Sequence, residues 1–432
     1  MTDARRRWVD LAVIFGLALA LRLPLALSLP SDDSVFWDQP YRICAENYAA
    51  GRGFWMPNPY DDPSLGFDRA YAFRPPLFPF LWGCVYNVTG GAYAPVRGVF
   101  ALLGAATCAL AYLLALELMR RRSVALLGGL LCACYPPLIW HSVHLMTEPM
   151  FIFLSVGALY ALVALARTGA WRWVALGGVA AGLATLTRSV MAGFLPVMAL
   201  WVWWAAGRGR RAWAMAALFT AVVTLVMLPW IARNAAVFHA FVPTTTDAGH
   251  GFYVANNPRS LADPRGFHIP EDWSFVKARP DEKLDELEMN RRLTRAAREY
   301  LVQHPGEAAQ LMARRFVTLW RFYPNPEFVS RRHVAVYALC WLPLFPFVLI
   351  GLWRLHRCAG AALPGILLAD ALVLYTTAIH TLILAMLRYR EPLMPILLPC
   401  AALGMMTVWD RLRRREGAPT CPTPTGPPAA SA

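Results

Sequence analysis

Arg5-Arg-Arg-Trp-Val-Asp-Leu-Ala-Val-Ile-Phe-Gly-Leu-Ala-Leu-Ala-Leu-Arg22-Leu-Pro-Leu-Ala-Leu-Ser-Leu-Pro-Ser-Asp-Asp33 reads as a basic cluster, a long apolar run and an acidic exit. A membrane span needs about 20 apolar residues, and Trp8 to Leu29 supplies them. The leading arginines resemble a signal peptide. The run is too long for one, however, and Leu-Pro-Ser-Asp-Asp is no small-residue cleavage site, so a retained first span is expected.

The same alternation recurs along the chain. Apolar runs at 8–30, 94–119, 123–141, 149–166, 171–187, 190–206, 212–232, 335–353, 361–386 and 392–409 predict an all-α polytopic membrane protein of about ten spans. Composition agrees: 57% of the 432 residues are hydrophobic and 16% charged, with mean hydropathy +0.41, whereas soluble domains carry about 25% charge. The nine cysteines mostly sit inside apolar runs, as small hydrophobes, and match no metal-binding spacing.

The net charge of +14 is not a polyanion-binding face, because the arginines fall in short clusters between spans. Arg5–Arg7, Arg120–Arg122, Arg167 with Arg172, Arg208 with Arg210 and Arg211, Arg354 with Arg357, and Arg411 with Arg413 and Arg415 all lie on one side if spans alternate. The positive-inside rule makes that side cytoplasmic and places both termini there. No nucleic-acid partner is expected. The stretch 75–90 opens Pro-Pro and is read as a helix at the interface, since a crossing there would invert the Arg120 cluster.

Four regions follow: a membrane module at 1–232 whose first outer loop is 31–93, an outer region at 233–333, C-terminal spans at 334–415, and a Pro/Thr/Ala-rich cytoplasmic tail at 416–432. Within the outer region, residues 280–303 alternate charge with Leu284, Leu287, Leu293, Ala297 and Leu301 at helical spacing, and His304-Pro-Gly306 ends that helix.

The outer face gathers the candidates for chemistry. The first loop holds Asp33 and Asp38, and Glu148 opens a span in Met146-Thr-Glu-Pro-Met150. Thr147 as an N-cap and Glu148 at a helix N-terminus would be an ordinary structural arrangement; an acid at the membrane boundary also suits function. His141 and His144 bracket that corner and could join Glu148 in a metal site, though the spacing matches no strong motif. Arg74, Arg97, Arg188, Arg233, Arg388 and Arg390 break the positive-inside pattern. They pair with the loop acids or hold an anionic ligand, and guanidinium forks match phosphate oxygens. His380 lies near the outer end of a span whose other ionisable group is Asp370. It is read as packing or as a substrate contact. No nucleotide-binding loop occurs.

Tyr41-Arg-Ile-Cys-Ala-Glu-Asn-Tyr-Ala-Ala-Gly-Arg-Gly-Phe54 and Phe73-Arg-Pro-Pro-Leu-Phe-Pro79 resemble the first outer loop of bacterial GT-C integral-membrane glycosyltransferases. The closer likeness is to the protein O-mannosyltransferase and lipid A aminoarabinose transferase families. Met146 to Phe151, Leu183 to Arg188, Leu228 to Asn234 with Phe241 to Pro258, and Arg388 to Pro395 fit in the same order. The resemblance implies a sugar donor on a polyprenyl phosphate and a lipid, glycan or protein acceptor, with transfer on the periplasmic face of the bacterial inner membrane. It implies a first-loop acid as general base, Asp38 or Asp33, with Glu148 as a further catalytic candidate. Arg74, Arg97, Arg188, Arg388 and Arg390 would hold the donor phosphate; Tyr41, Asn256, Asn257 and His380 would contact substrate. Two departures stand out. Trp37 occupies the family's usual acid position, one before Asp38. Phe73 stands where the aminoarabinose transferases carry a metal-holding glutamate, so a divalent metal is possible and not established. A lipid-linked sugar flippase would favour mid-membrane charges and paired broken helices; a glycan polymerase or ligase shares large outer loops and arginines.

Overall fold

The computed structural model describes residues 3–30, 39–279, 281–327 and 329–413. The stretch 31–38, with Asp33 and Asp38, lies outside the described residues, as does the tail after Arg413.

Helix α1 (Asp3–Ser28) is followed by α2 (Gln39–Ala49), which Gly51 terminates at a φ of +69°, a conformation glycine adopts without strain. A two-residue antiparallel pair, β1 (Met56–Pro57) with β2 (Arg69–Ala70), closes the first loop, and α3 (Leu77–Val88) follows Pro75-Pro76. The bundle continues through α4 (Tyr93–Met119), α5 (Arg122–Cys134), α6 (Pro136–Val143), α7 (Glu148–Thr168), α8 (Trp171–Thr187), α9 (Leu195–Ala205) and α10 (Arg210–Phe238). Then come α11 (Ala248–Ala255), α12 (Glu286–Gln303) and α13 (Pro305–Trp320) outside it, and α14 (Arg331–Trp341), α15 (Phe345–Arg357), α16 (Leu363–Leu382) and α17 (Met394–Arg413) within it.

Each apolar run read from the sequence is mostly helical, with breaks at Tyr135 and at 342–344 and a non-helical end at 383–386. Among the described residues seven helices are long and apolar enough to cross a membrane, and eight if the bent pair α5–α6 counts as one span. The sequence count of about ten is reached only by adding α8, of 17 residues, and the short helical stretch Ser189–Ala205.

The bend between α5 and α6 is 53°, and its cause is chemical. Pro136 and Pro137 have no N–H to give to the carbonyls four residues back, Cys132 and Ala133. Unpaired carbonyls are costly away from water. Arg22, on α1 and fully buried, supplies the missing donors. Its Nη1 donates to Ala133 O at 2.8 Å, its Nη2 to Cys132 O at 3.3 Å and its Nε to Ser142 Oγ at 3.2 Å.

Helices α15 and α17 meet through glycine. A Cβ on Gly351 would lie 1.8 Å from the Cys400 carbonyl oxygen, and one on Gly404 would lie 2.0 Å from that of Phe347. Close backbone approach through small residues is a common way for membrane helices to pack. At the arginine-rich end, Asp10 accepts from Arg122 at 2.6 and 2.7 Å and from Tyr112 at 2.8 Å, while Arg121 pairs with Asp410 at 2.5 Å.

At the other end the first loop and the 233–333 region share one core. Cys44, Met56, Tyr60 and Phe73 from the loop pack with Val254, Trp273, Met289 and Leu293. Helix α12 begins at Asp285, whose side chain accepts from Glu288 N at 2.7 Å, an N-cap with an acid three residues on. Its buried stripe is Glu286, Met289, Leu293, Ala297 and Tyr300, with Leu287 and Leu301 half-buried at its edge.

Replacing Arg22 with leucine strands both proline-orphaned carbonyls, each costing about 1–3 kcal/mol. Thermal unfolding in lipid nanodiscs should shift down by several degrees for Arg22→Leu and by less for Arg22→Lys. An unchanged midpoint would refute the clamp.

Candidate active site

A cavity of about 470 Å³ lies where the bundle meets the shared outer core. From the bundle it is lined by Glu148, Arg188, His380, Arg388 and Tyr389; from the outer layer by Tyr41, Arg74, Asp247 and His250.

Glu148 is the first residue of α7, is 2% exposed and is followed by Pro149. The Thr147 side chain accepts no capping bond from the helix amides; its hydroxyl donates to Glu148 Oε2 at 3.4 Å instead, so the expected Thr147 cap does not form. Charge placement takes its role, because Glu148 Oε1 stands 3.2 Å from Arg188 Nη1 and 3.7 Å from Arg388 Nε. Arg188 leaves α8 in an extended conformation just as the helix ends, which aims it at the cavity. Its guanidinium lies over the rings of Tyr389 at 5.0 Å and Phe151 at 5.5 Å. Tyr389 stacks on His380 at 4.5 Å, and His380 Nδ1 is 3.0 Å from Leu384 O.

Across the cavity Arg74 Nη1 pairs with Asp247 Oδ2 at 3.2 Å. The other carboxylate oxygen accepts from Thr245 Oγ1 at 2.6 Å, and Thr245 is 2.8 Å from the Ser189 hydroxyl. A short polar chain thus connects the Arg188 corner to the Arg74 corner. Tyr41 places its ring 5.5 Å from the Arg74 guanidinium. Burial is the main reason its phenol is pushed up to about 12, so it is a neutral donor at any physiological pH.

Among the described residues, three guanidiniums against two carboxylates leave the lining one positive charge in excess. Arginines fixed in this way are disposed to receive an anion with planar, fork-like hydrogen bonding. Among the described residues no group of three or more His, Cys, Asp or Glu converges as a metal site. His141 is buried beside this corner with neither ring nitrogen hydrogen-bonded, and His144 turns its Nδ1 to Trp140 O at 2.9 Å. These residues do not fit a metal site.

Of the residues singled out from sequence, Tyr41, Arg74, Glu148, Arg188, Arg388 and His380 meet in this cavity. None of the other described ones lines it. Arg97 donates to Leu29 O and Pro30 O, both at 2.7 Å, and so fixes the chain where it leaves α1. Arg390 is fully buried, donates to Arg321 O at 2.9 Å and lies 4.7 Å over Trp341. Asn256 accepts from Arg315 at 2.9 Å, and Asn257 donates to the carbonyls of Tyr253, Val254 and His268; both hold the outer layer together. Asp33 and Asp38 lie outside the described residues. Asp247 and His250 were missed because Thr244-Thr-Thr-Asp-Ala-Gly-His250 reads as a turn. The available signal was the Thr-x-Asp spacing, which suits a local side-chain bond.

His250 sits among Tyr60, Phe73 and Trp273, with ring centroids 5.3–5.5 Å away. Burial, with Arg74 nearby, lowers it from 6.5 to about 3. The folded state therefore refuses a proton that the unfolded chain accepts, so this group's contribution to stability falls as pH drops from 6.5 towards 3. His250→Phe should flatten that part of the unfolding-midpoint profile. Identical slopes for both proteins would refute the assignment.

Residues 67–242 match the family of dolichyl-phosphate-mannose-protein mannosyltransferases. No curated protein sequence matches the chain. Among solved structures, archaeal oligosaccharyltransferase AglB from Archaeoglobus fulgidus, in complex with an inhibitory peptide and a dolichol-phosphate, aligns at 15% identity with a TM-score of 0.56, over 97% of this chain and 53% of that one. The same oligosaccharyltransferase tethered with an acceptor peptide aligns at 14% identity and 0.55, over 95% and 50%. ArnT from Cupriavidus metallidurans bound to undecaprenyl phosphate aligns at 15% identity and 0.39, over 94% and 77%. The chain spans about half the length of AglB. It has the GT-C fold, with the mannosyltransferase-family match in its N-terminal half.

Proposed function

We propose that this chain is a glycosyltransferase that moves a sugar from a polyprenyl-phosphate donor to a hydroxyl of a lipid, glycan or protein. The observation that carries the reading is the convergence of Arg74, Arg188 and Arg388 on one cavity at the boundary between bundle and outer layer. A phosphate at a bilayer surface with an apolar tail would have its charge met by these arginines and its chain by Ile379, Ile383 and Leu384 on the same wall. AglB, of the same fold, was solved with a dolichol-phosphate, which supports a lipid phosphate as the ligand class. We place the cavity on the periplasmic side of a bacterial inner membrane, with both termini cytoplasmic, from the arginine clusters between spans.

In the proposed reaction the acceptor oxygen forms a bond to the anomeric carbon as the bond from that carbon to the phosphate oxygen breaks. The acceptor proton passes to a first-loop carboxylate, Asp38 or Asp33. The electron pair of the broken bond stays on the polyprenyl phosphate, where Arg188 and Arg388 meet the growing charge. Glu148 holds those two side chains in place before donor arrives. Donors aimed at developing charge in a site closed to water are worth about 10²–10³ in rate.

Transfer is measured in proteoliposomes with labelled polyprenyl-phosphate sugars and an envelope acceptor pool. Wild type should give labelled product and a folded Asp38→Asn variant none; product from both moves the base to Asp33 or Glu148. Arg388→Gln should lose about 100-fold in transfer, while Arg97→Gln and Arg390→Gln should lose stability first. Label that crosses the bilayer without being transferred would replace this reading with a flippase.

A further inference from the structure

Glu286 does not line the cavity, yet its carboxylate is the point where the two chain segments of the outer wall are tied together. It is 3% exposed, at the first position of α12. Its oxygens accept from the backbone amides of Tyr71 at 2.6 Å and Ala72 at 3.1 Å and from the Thr246 hydroxyl. The two segments also bond directly, Thr246 N donating to Ala72 O at 3.0 Å. The backbone carbonyl of Tyr71 is taken as well: Arg233 Nη1 donates to it at 2.8 Å, and Nη2 donates to Phe54 O at 2.7 Å.

What these bonds fix is decided by position. Arg74 lies two residues beyond Ala72, and Asp247 directly follows Thr246. These are the partners of the 3.2 Å pair on the cavity's outer wall. A buried carboxylate that satisfies three donors cannot rotate or leave without stranding them, and each stranded donor is costly. Position one of a helix also favours negative charge.

We propose that Glu286 is a positioning residue: by holding the Tyr71–Ala72 backbone and Thr246 together, it sets where Arg74 and Asp247 stand in the cavity. The role rests on the reading of the cavity as a phosphate site only for its consequence in binding. The geometry it predicts is measurable without any ligand.

Two readouts separate the two ideas. In full-length protein in phosphatidylcholine nanodiscs, amide exchange at Tyr71 and Ala72 should speed up at least tenfold in Glu286→Ala and less in Glu286→Gln, which keeps one acceptor oxygen. Unchanged exchange overturns the proposal. In the same nanodiscs, undecaprenyl phosphate should bind Glu286→Ala at least tenfold more weakly than wild type, with Glu286→Gln between them and Glu282→Gln unchanged. In an Arg74→Gln background the Glu286→Ala effect should disappear. An effect of equal size there, or a lowered melting point with unchanged Kd, makes Glu286 merely structural and overturns the proposal. Wild type that binds no undecaprenyl phosphate overturns the phosphate reading instead, and amide exchange then decides Glu286 on its own.

Discussion

A bilayer supplies no hydrogen bonds, so each backbone carbonyl released by a break in a helix must find a donor within the protein. Arginine meets that demand repeatedly in this chain. Arg22 answers the two carbonyls orphaned by Pro136 and Pro137. Arg97 holds Leu29 and Pro30, Arg390 holds Arg321, and Arg315 holds Leu382 and Ala255. One guanidinium carries five N–H groups on a planar fork and can satisfy several oxygens while its charge is spread. The bend between α5 and α6 and the ends of α11 and α16 depend on this use of arginine.

The six arginines singled out on the outer face divide into two populations. Arg97, Arg233 and Arg390 face carbonyls. Those facing carbonyls are parts of the frame. Arg74, Arg188 and Arg388 instead face carboxylates, and they are the ones that meet in the cavity. Carboxylate partners keep such a group oriented beside the cavity. Glu148 is shared by two of them, so the site stays near neutrality without tying every donor to the backbone.

Hydropathy made the bundle legible because a span is a local property of about 20 residues. The small gap between the expected and observed count of long helices comes from α8 and Ser189–Ala205, where the apolar run is real but the helix is short. The bend after Cys134 was written in Pro136-Pro137, but its rescue by Arg22 was not, because the partners are 110 and 111 residues apart. The same distance problem explains the candidate site. Sequence collected six arginines on one face, yet a frame arginine and a cavity arginine look identical until their oxygens are known. Asp247 and Glu286 stayed hidden for a related reason: one reads as a turn residue and the other as a helix N-terminal acid, and their meaning comes from segments about 170 and 215 residues away.

The two-core construction has a mechanical corollary. The cavity walls belong to different hydrophobic clusters, one within the bundle and one joining the first loop to α11 and α12. A seam between two well-packed bodies is the softest direction of a molecule, since sliding one over the other changes few contacts inside either. The Arg74–Asp247 pair and the Glu148 corner therefore stand on separate cores, and the Ser189–Thr245 hydrogen bond is a polar link across the seam between them.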